Sequence, residues 1–325
     1  MERMRAVRFI CGLPFLIALA AYAQDTKQSY PVKPIRLILP DAAGGGFDTV
    51  ARALAAKLSE QLNQSVVVDN RGGAGGALGA ELAMQAAPDG YTIVMMSATS
   101  VIRPLMYPSR YDVLRDFAPV SQATTTSYVL LVHPALPVKS VGELVAYAKA
   151  NPGKLNYASA GQGSLIHLAT ELFKAAVGIN ATHVPYKGMG AAYPDLIAGQ
   201  VQMAFASIVS ALPHARTQRL RALAVSGPAR AQAQPDLPTV AEAGIKGYEV
   251  SQWYAVFAPA RVPQSVVDRL NREIVAALQN AEVAKRLAFD GAEPVGGNLA
   301  QLKALLVSDL AKWARVIKET GIRGD

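Results

Sequence analysis

Ile35-Arg36-Leu37-Ile38-Leu39-Pro40-Asp41-Ala42-Ala43-Gly44-Gly45-Gly46-Phe47-Asp48 is the stretch from which the rest of the chain reads. Its first five residues read as a strand, and Asp48 to Leu62 carries Val50, Leu54, Leu58 and Leu62 at helical spacing. A glycine-rich turn therefore joins a strand to a helix, which is where an open α/β sheet binds its ligand. Glycines let a ligand approach the backbone, and the free N–H groups at the helix start favour an anion. The other reading of the same residues is a plain helix entry capped by Asp48. Nucleotide binding is not indicated: there is no Gly-Lys-Ser/Thr, and Thr49 stands where the dinucleotide fingerprint after Gly44 and Gly46 needs glycine.

The same rhythm continues on either side of the midpoint. Val66 to Asp69, Tyr91 to Met96, Tyr128 to Val132, Leu155 to Ser159, Ala181 to Val184, Gln202 to Ala206 and Ala222 to Ser226 read as strands. Between them Ala77 to Ala86, Val141 to Ala150, Ser164 to Val177, Tyr193 to Ile197 and Ile208 to His214 read as helices, which predicts a mainly parallel sheet covered on its faces. An extended run, Val250 to Ala258, precedes helices over Gln264 to Leu278, Ala281 to Phe289 and Leu299 to Thr320. The last helix aligns Leu302, Leu306, Leu310, Trp313 and Ile317, a stripe that the first lobe is expected to cover. The predicted architecture is an α/β protein of two lobes, residues 24–125 with 251–325 and residues 126–250, with two crossover segments around 125 and 251 that leave a cleft and a hinge.

Composition narrows the setting. Residues 1–23 have an arginine-bearing start, an apolar run from Phe9 to Ala23 and the close Ala21-Tyr22-Ala23, so they read as a signal peptide cleaved after Ala23 and the protein is expected in the periplasm. That run is too short to span a bilayer. The single cysteine, Cys11, falls inside it, so disulfides and thiol chemistry are excluded from the mature chain. The net charge of +8 becomes +6 without the leader's Arg3, Arg5, Arg8 and Glu2. The basic residues form no run or aromatic-interleaved stripe, so no nucleic acid partner is expected and the charge reads as solubility plus attraction for anions.

Ala160-Gly161-Gln162-Gly163-Ser164, with His167 one turn on, repeats the strand, glycine turn and helix in the second lobe. Two helix N-termini facing each other from opposite lobes would clamp a carboxylate. Ser164 also reads as a helix cap and His167 as an ordinary first-turn residue. Tyr186 and Lys187 end another second-lobe strand and are candidates at the cleft rim; Phe47 and the pair Trp253-Tyr254 are candidates for an apolar wall. Asn70 to Gly79 reads as a tight turn that allows close helix packing, with Arg71 as an ion-pair candidate. There is no Gly-x-Ser-x-Gly, no His-Glu-x-x-His, and the four histidines lack metal-ligand spacing, so neither an enzyme nor a metal or other cofactor is expected.

The chain resembles the Bug-type receptors of tripartite tricarboxylate transporters. The resemblance rests on Pro40 to Asp48 with Val50-Ala51-Arg52, Asn70 to Gly79, Ala87 to Tyr91, Tyr157 to Leu168, Val184 to Gly188, Asp236 to Gly244 and Gly291 to Val295. It implies a type II periplasmic binding protein, a Venus flytrap that closes over a small organic acid and delivers it to a membrane permease. It also implies ligand contacts from Ala42, Ala43, Gly44, Gly45, Gly46, Phe47 and Asp48 and from Gly161 to Ser164, largely through backbone N–H groups. Ala206-Ser207 stands where such receptors commonly carry Asp-Asn, and Phe47 where a small polar residue is usual. Loss of an acid and gain of an aromatic point away from amino acids and toward a dicarboxylate or an apolar or aromatic acid. The expectation is a monomeric binding protein whose site gathers these loops with Ala160, His167, Tyr186, Lys187, Ala206, Ser207 and Trp253. A signalling receptor, or an exported enzyme on the same fold, are the alternative readings.

Overall fold

A computed structural model describes residues 30–322, except 42, 45, 74, 75 and 290; the expected signal peptide lies outside the described residues. The first half runs β1 (Ile35–Leu39), α1 (Gly46–Leu62), β2 (Val66–Asn70), α2 (Ala77–Met84), β3 (Thr92–Ser97), α3 (Ala98–Ile102) and α4 (Val113–Asp116). The chain then enters β4 (Phe117–Val132), followed by α5 (Val141–Ala150), β5 (Leu155–Ser159), α6 (Leu165–Val177), β6 (Ala181–Pro185), α7 (Met189–Ile197), β7 (Met203–Ser207), α8 (Ile208–Arg216) and β8 (Arg221–Val225). It returns through β9 (Ser251–Pro259) to α9 (Gln264–Gln279), α10 (Ala281–Phe289), β10 (Glu293–Gly296) and α11 (Leu299–Thr320).

The strands form one curled sheet in the order β2-β1-β3-β9-β4-β7-β5-β6, with β8 and β10 also on β4. β2, β1 and β3 are parallel, as are β6, β5 and β7. β9 and β4 are antiparallel to the strands beside them and to each other, so the chain crosses between halves on these two strands. Short strands such as Ile35–Leu39 bury apolar residues on both faces, Ile35, Leu37 and Leu39 on one and Ile38 on the other, because helices cover both sides of the parallel parts.

β4 differs from expectation by starting at Phe117 and not at Tyr128. Pro119 and the run Gln122 to Thr126 hide the strand in sequence, yet β9 and β10 pair with this part, and register shifts between Pro119 and Ser121 and between Gln122 and Thr124 absorb the irregularity. α11 also departs from expectation. At about 33 Å for 22 residues, it outreaches one lobe: it buries Leu302, Leu306, Trp313 and Val316 against β4, α3 of the first half and α6 of the second. One apolar core thus runs through both halves, from Ile38 and Val94 to Leu130 and Phe205. Among the described residues no helix is long and apolar enough to cross a membrane.

Candidate functional site

Each half presents a glycine turn at the carboxyl end of its parallel strands. In the first, between β1 and α1, Ala43, Gly44 and Gly46 are exposed; Ala42 and Gly45 lie outside the described residues. The Asp48 carboxylate is buried and accepts from the Gly44 N–H at 2.9 Å, from Arg52 Nε at 2.9 Å and from Asn70 Nδ2 at 3.0 Å. The Arg52 hydrogen bond, helped by Gly44 and Asn70, outweighs burial and holds its pKa down to about 2. Asp48 therefore braces the turn from inside. Phe47 likewise belongs to the core: it is 5% exposed and stacks on Tyr254. α2 presses on the same turn, since a Cβ on Gly79 would lie 2.9 Å from Pro40 Cα and from the Arg71 carbonyl. Arg71 pairs with Asp69 at 2.9 Å.

The second turn, between β5 and α6, is knit together by its own side chains. Ser164 caps α6 by accepting the His167 N–H at 3.2 Å. The Gly161 N–H donates to Ser159 Oγ and the Gly163 N–H to His167 Nδ1, each at 3.1 Å, while the Ser164 N–H donates to the Gly161 carbonyl. These three backbone donors, expected to meet a carboxylate, are thus spent inside the turn. The donors that helix geometry leaves for an anion are those of the first turn, Leu165 and Ile166 here and Gly46 and Phe47 on α1.

His167, 4% exposed, lies beneath the turn and not in an open cleft. Burial first, then the neighbouring His183, push its pKa down to about 4, so the ring is neutral at pH 7. Ala160, Gly161, Gln162 and Ser164 are half-buried and Gly163 is buried.

Of the remaining candidates, Tyr186 hydrogen-bonds Asp195 at 2.7 Å, and burial with that bond pushes its pKa up to about 12; Lys187 is exposed beside it. Ala206 is fully buried in the second half's core and lines no cleft, because β7 is covered on that face by α8. Ser207 is half-buried, and its hydroxyl does not cap α8. Trp253, 2% exposed, belongs to the shared core and donates Nε1–H to Asp309 at 2.6 Å.

Sequence reading missed the segment that brings the halves together. Ser97 caps α3, and the chain beyond it carries Met106 and Tyr107 to the second turn, where Tyr107 donates to the Gln162 carbonyl at 3.4 Å. A Cβ on Gly163 would lie 3.2 Å from the Tyr107 hydroxyl, so the left-handed backbone at φ 69° and this close approach both call for glycine. The Arg103 guanidinium stacks on Tyr107 at 4.4 Å. A visible signal existed: Arg103, Met106 and Tyr107 follow directly on a strand and helix entry.

Two α/β halves, exchanged twice by crossing strands and each ending its parallel strands in a glycine turn at a helix start, define a two-lobed periplasmic binding protein of the Venus-flytrap type. The chain belongs to the tripartite tricarboxylate transporter family receptors, whose family model matches residues 50–322. It is 37% identical to the protein BugT of Bordetella pertussis over 98% of this chain and 99% of BugT. A solved chain described as a periplasmic transporter is 37% identical, with a TM-score of 0.80 over 91% of this chain and 100% of that one. Rpa4515 of R. palustris, solved with adipate, is 36% identical with a TM-score of 0.80, covering 90% and 99% of the two chains. MatC of Rhodopseudomonas palustris, solved with bound malate, is 32% identical with a TM-score of 0.76, covering 89% and 100%. The family consists of solute receptors, not enzymes.

Proposed function

We propose that the mature chain, exported and cleaved after Ala23, is a periplasmic receptor that captures a small organic carboxylate, a dicarboxylate or an apolar or aromatic acid, and delivers it to the permease of a tripartite tricarboxylate-type transporter. The single observation that carries this reading is the pair of braced glycine turns at the starts of α1 and α6, one in each half. The lobes divide as residues 24–125 with 251–325 and residues 126–250, in keeping with the two crossings on β4 and β9. Ligand oxygens meet the first-turn N–H groups of α1, beside Ala43, Gly44 and Gly46, on one side, and the first-turn N–H groups of α6, beside the Gly161–Ser164 turn, on the other. Tyr186, Lys187 and Ser207 border the ligand body. Adipate and malate, the ligands of the two relatives solved in complex, set the size and charge of the first candidates.

A thermal-shift screen of the mature protein against dicarboxylates, tricarboxylates, aromatic acids and amino acids tests this reading. A saturable upward shift with a dicarboxylate or an apolar acid is expected. Stabilisation by amino acids alone would overturn the ligand class, and no shift with any acid would overturn the receptor assignment.

A further inference from the structure

Under the second turn lies a column of three rings, contributed by Tyr157 on β5, His183 on β6 and His167 on α6. The Tyr157 and His183 centroids are 4.9 Å apart with planes 19° apart; those of His183 and His167 are 3.9 Å apart with planes 10° apart. Each imidazole makes one bond to the turn. His167 Nδ1 accepts the Gly163 N–H at 3.1 Å, and His183 Nε2 lies 2.6 Å from Ser159 Oγ, which accepts the Gly161 N–H. The charged groups facing the column are Glu171 and Lys174 of α6, paired with each other at 2.6 Å, with Glu171 also accepting from the Tyr157 hydroxyl. From the first half Met106 and Tyr107 face Gly163.

An imidazole nitrogen accepts a hydrogen bond only when it carries no proton, so the bond to Gly163 fixes His167 as the neutral Nε2–H tautomer. Protonation would set N–H against N–H and place a cation against the face of the His183 ring. We infer that His167, backed by His183, is a positioning residue that sets the peptide planes of the Gly161–Ser164 turn, and that the turn is shaped to hold a ligand carboxylate only while His167 is neutral. This rests on the reading that the turn is half of the carboxylate site. Burial and the facing His183 keep the ring neutral at pH 7. The sign of the pH effect is diagnostic. An imidazolium acting through space beneath an anion would tighten binding on acidification, whereas loss of the Gly163 bond weakens it.

The test uses the mature wild-type protein, His167→Asn, whose Oδ1 restores an acceptor near the Nδ1 position, and His167→Leu, which removes it. In the ligand-free wild type, the Gly163 amide proton followed by NMR should move with the His167 ring nitrogens on acidification, and should not move in His167→Asn. With adipate as the probe at pH 7, His167→Leu should bind about tenfold more weakly and His167→Asn within about threefold of wild type. A Gly163 amide indifferent to His167 protonation overturns the inference, as does His167→Leu binding adipate like wild type. Should the wild type bind no carboxylic acid, the receptor reading fails, and the ligand-free titration still decides whether His167 positions the turn. If the leucine variant does not fold, the wild-type titration and His167→Asn carry the decision.

Discussion

The ring of Phe47 lies flat on that of Tyr254, with centroids 4.3 Å apart and planes 9° apart. The stack joins the first glycine turn to β9, where Tyr254 sits between Ser97 of β3 and Thr124 of β4. The start of α1, directly after the first glycine turn, is therefore packed against a strand that crosses between the halves.

Phe47→Ala should lower unfolding free energy by about 3–4 kcal/mol, the cost of emptying a buried aromatic site. Urea denaturation at pH 7 measures it. Wild-type stability in the variant would show that the ring is not part of the core.

Asp48 gives an acid-side prediction. Its carboxyl is held down at about 2 in the fold, below the ordinary value of 3.8, so it binds fewer protons folded than unfolded. Its contribution is complete above about pH 4 and is lost as pH falls toward 2. Asp48→Asn should be about 1–3 kcal/mol less stable than wild type at pH 7, and the gap should narrow at pH 2.5. Denaturant midpoints at the two pH values check it; a gap that is constant with pH would mean that the charge of Asp48 contributes nothing.

Gly79 has no room for a side chain, because backbone of Pro40 and Arg71 occupies the space. Gly79→Ala should push α2 away from the first turn and cost about 1–3 kcal/mol. The thermal midpoint reads this directly, and an unchanged midpoint would contradict the packing.

The bond from Trp253 to Asp309 ties β9 to α11, the helix that spans both halves. A double-mutant cycle with Trp253→Phe and Asp309→Ala should return a coupling of about 1–3 kcal/mol. Additive single effects would show that the two residues stabilise the fold independently.

Much of this fold is legible in the sequence because its local signals agree. Ile35–Leu39, Val141–Ala150 and Leu299–Thr320 have unbroken periodicity and clear ends, and the structure gives these same bounds. The first eleven residues of β4 were hidden because Pro119 and the threonines look like a loop until β9 and β10 supply their partners. The two glycine turns could be found because glycine beside a capping residue is a local signal. Their bracing could not. Nothing in spacing shows that His167 stacks on His183, that Phe47 stacks on Tyr254, or that Ala206 faces inward, since each depends on contacts between distant elements.

The central claim is that one carboxylate is gripped by helix starts from both halves. The most direct measurement is a crystal structure of the mature protein grown with adipate. It should show one carboxylate within hydrogen-bond distance of first-turn N–H groups of both α1 and α6, with Gly163 still bonded to His167. Adipate seated on one half alone, or in the groove between Arg216 and Arg221 at the far end of α8, would contradict it.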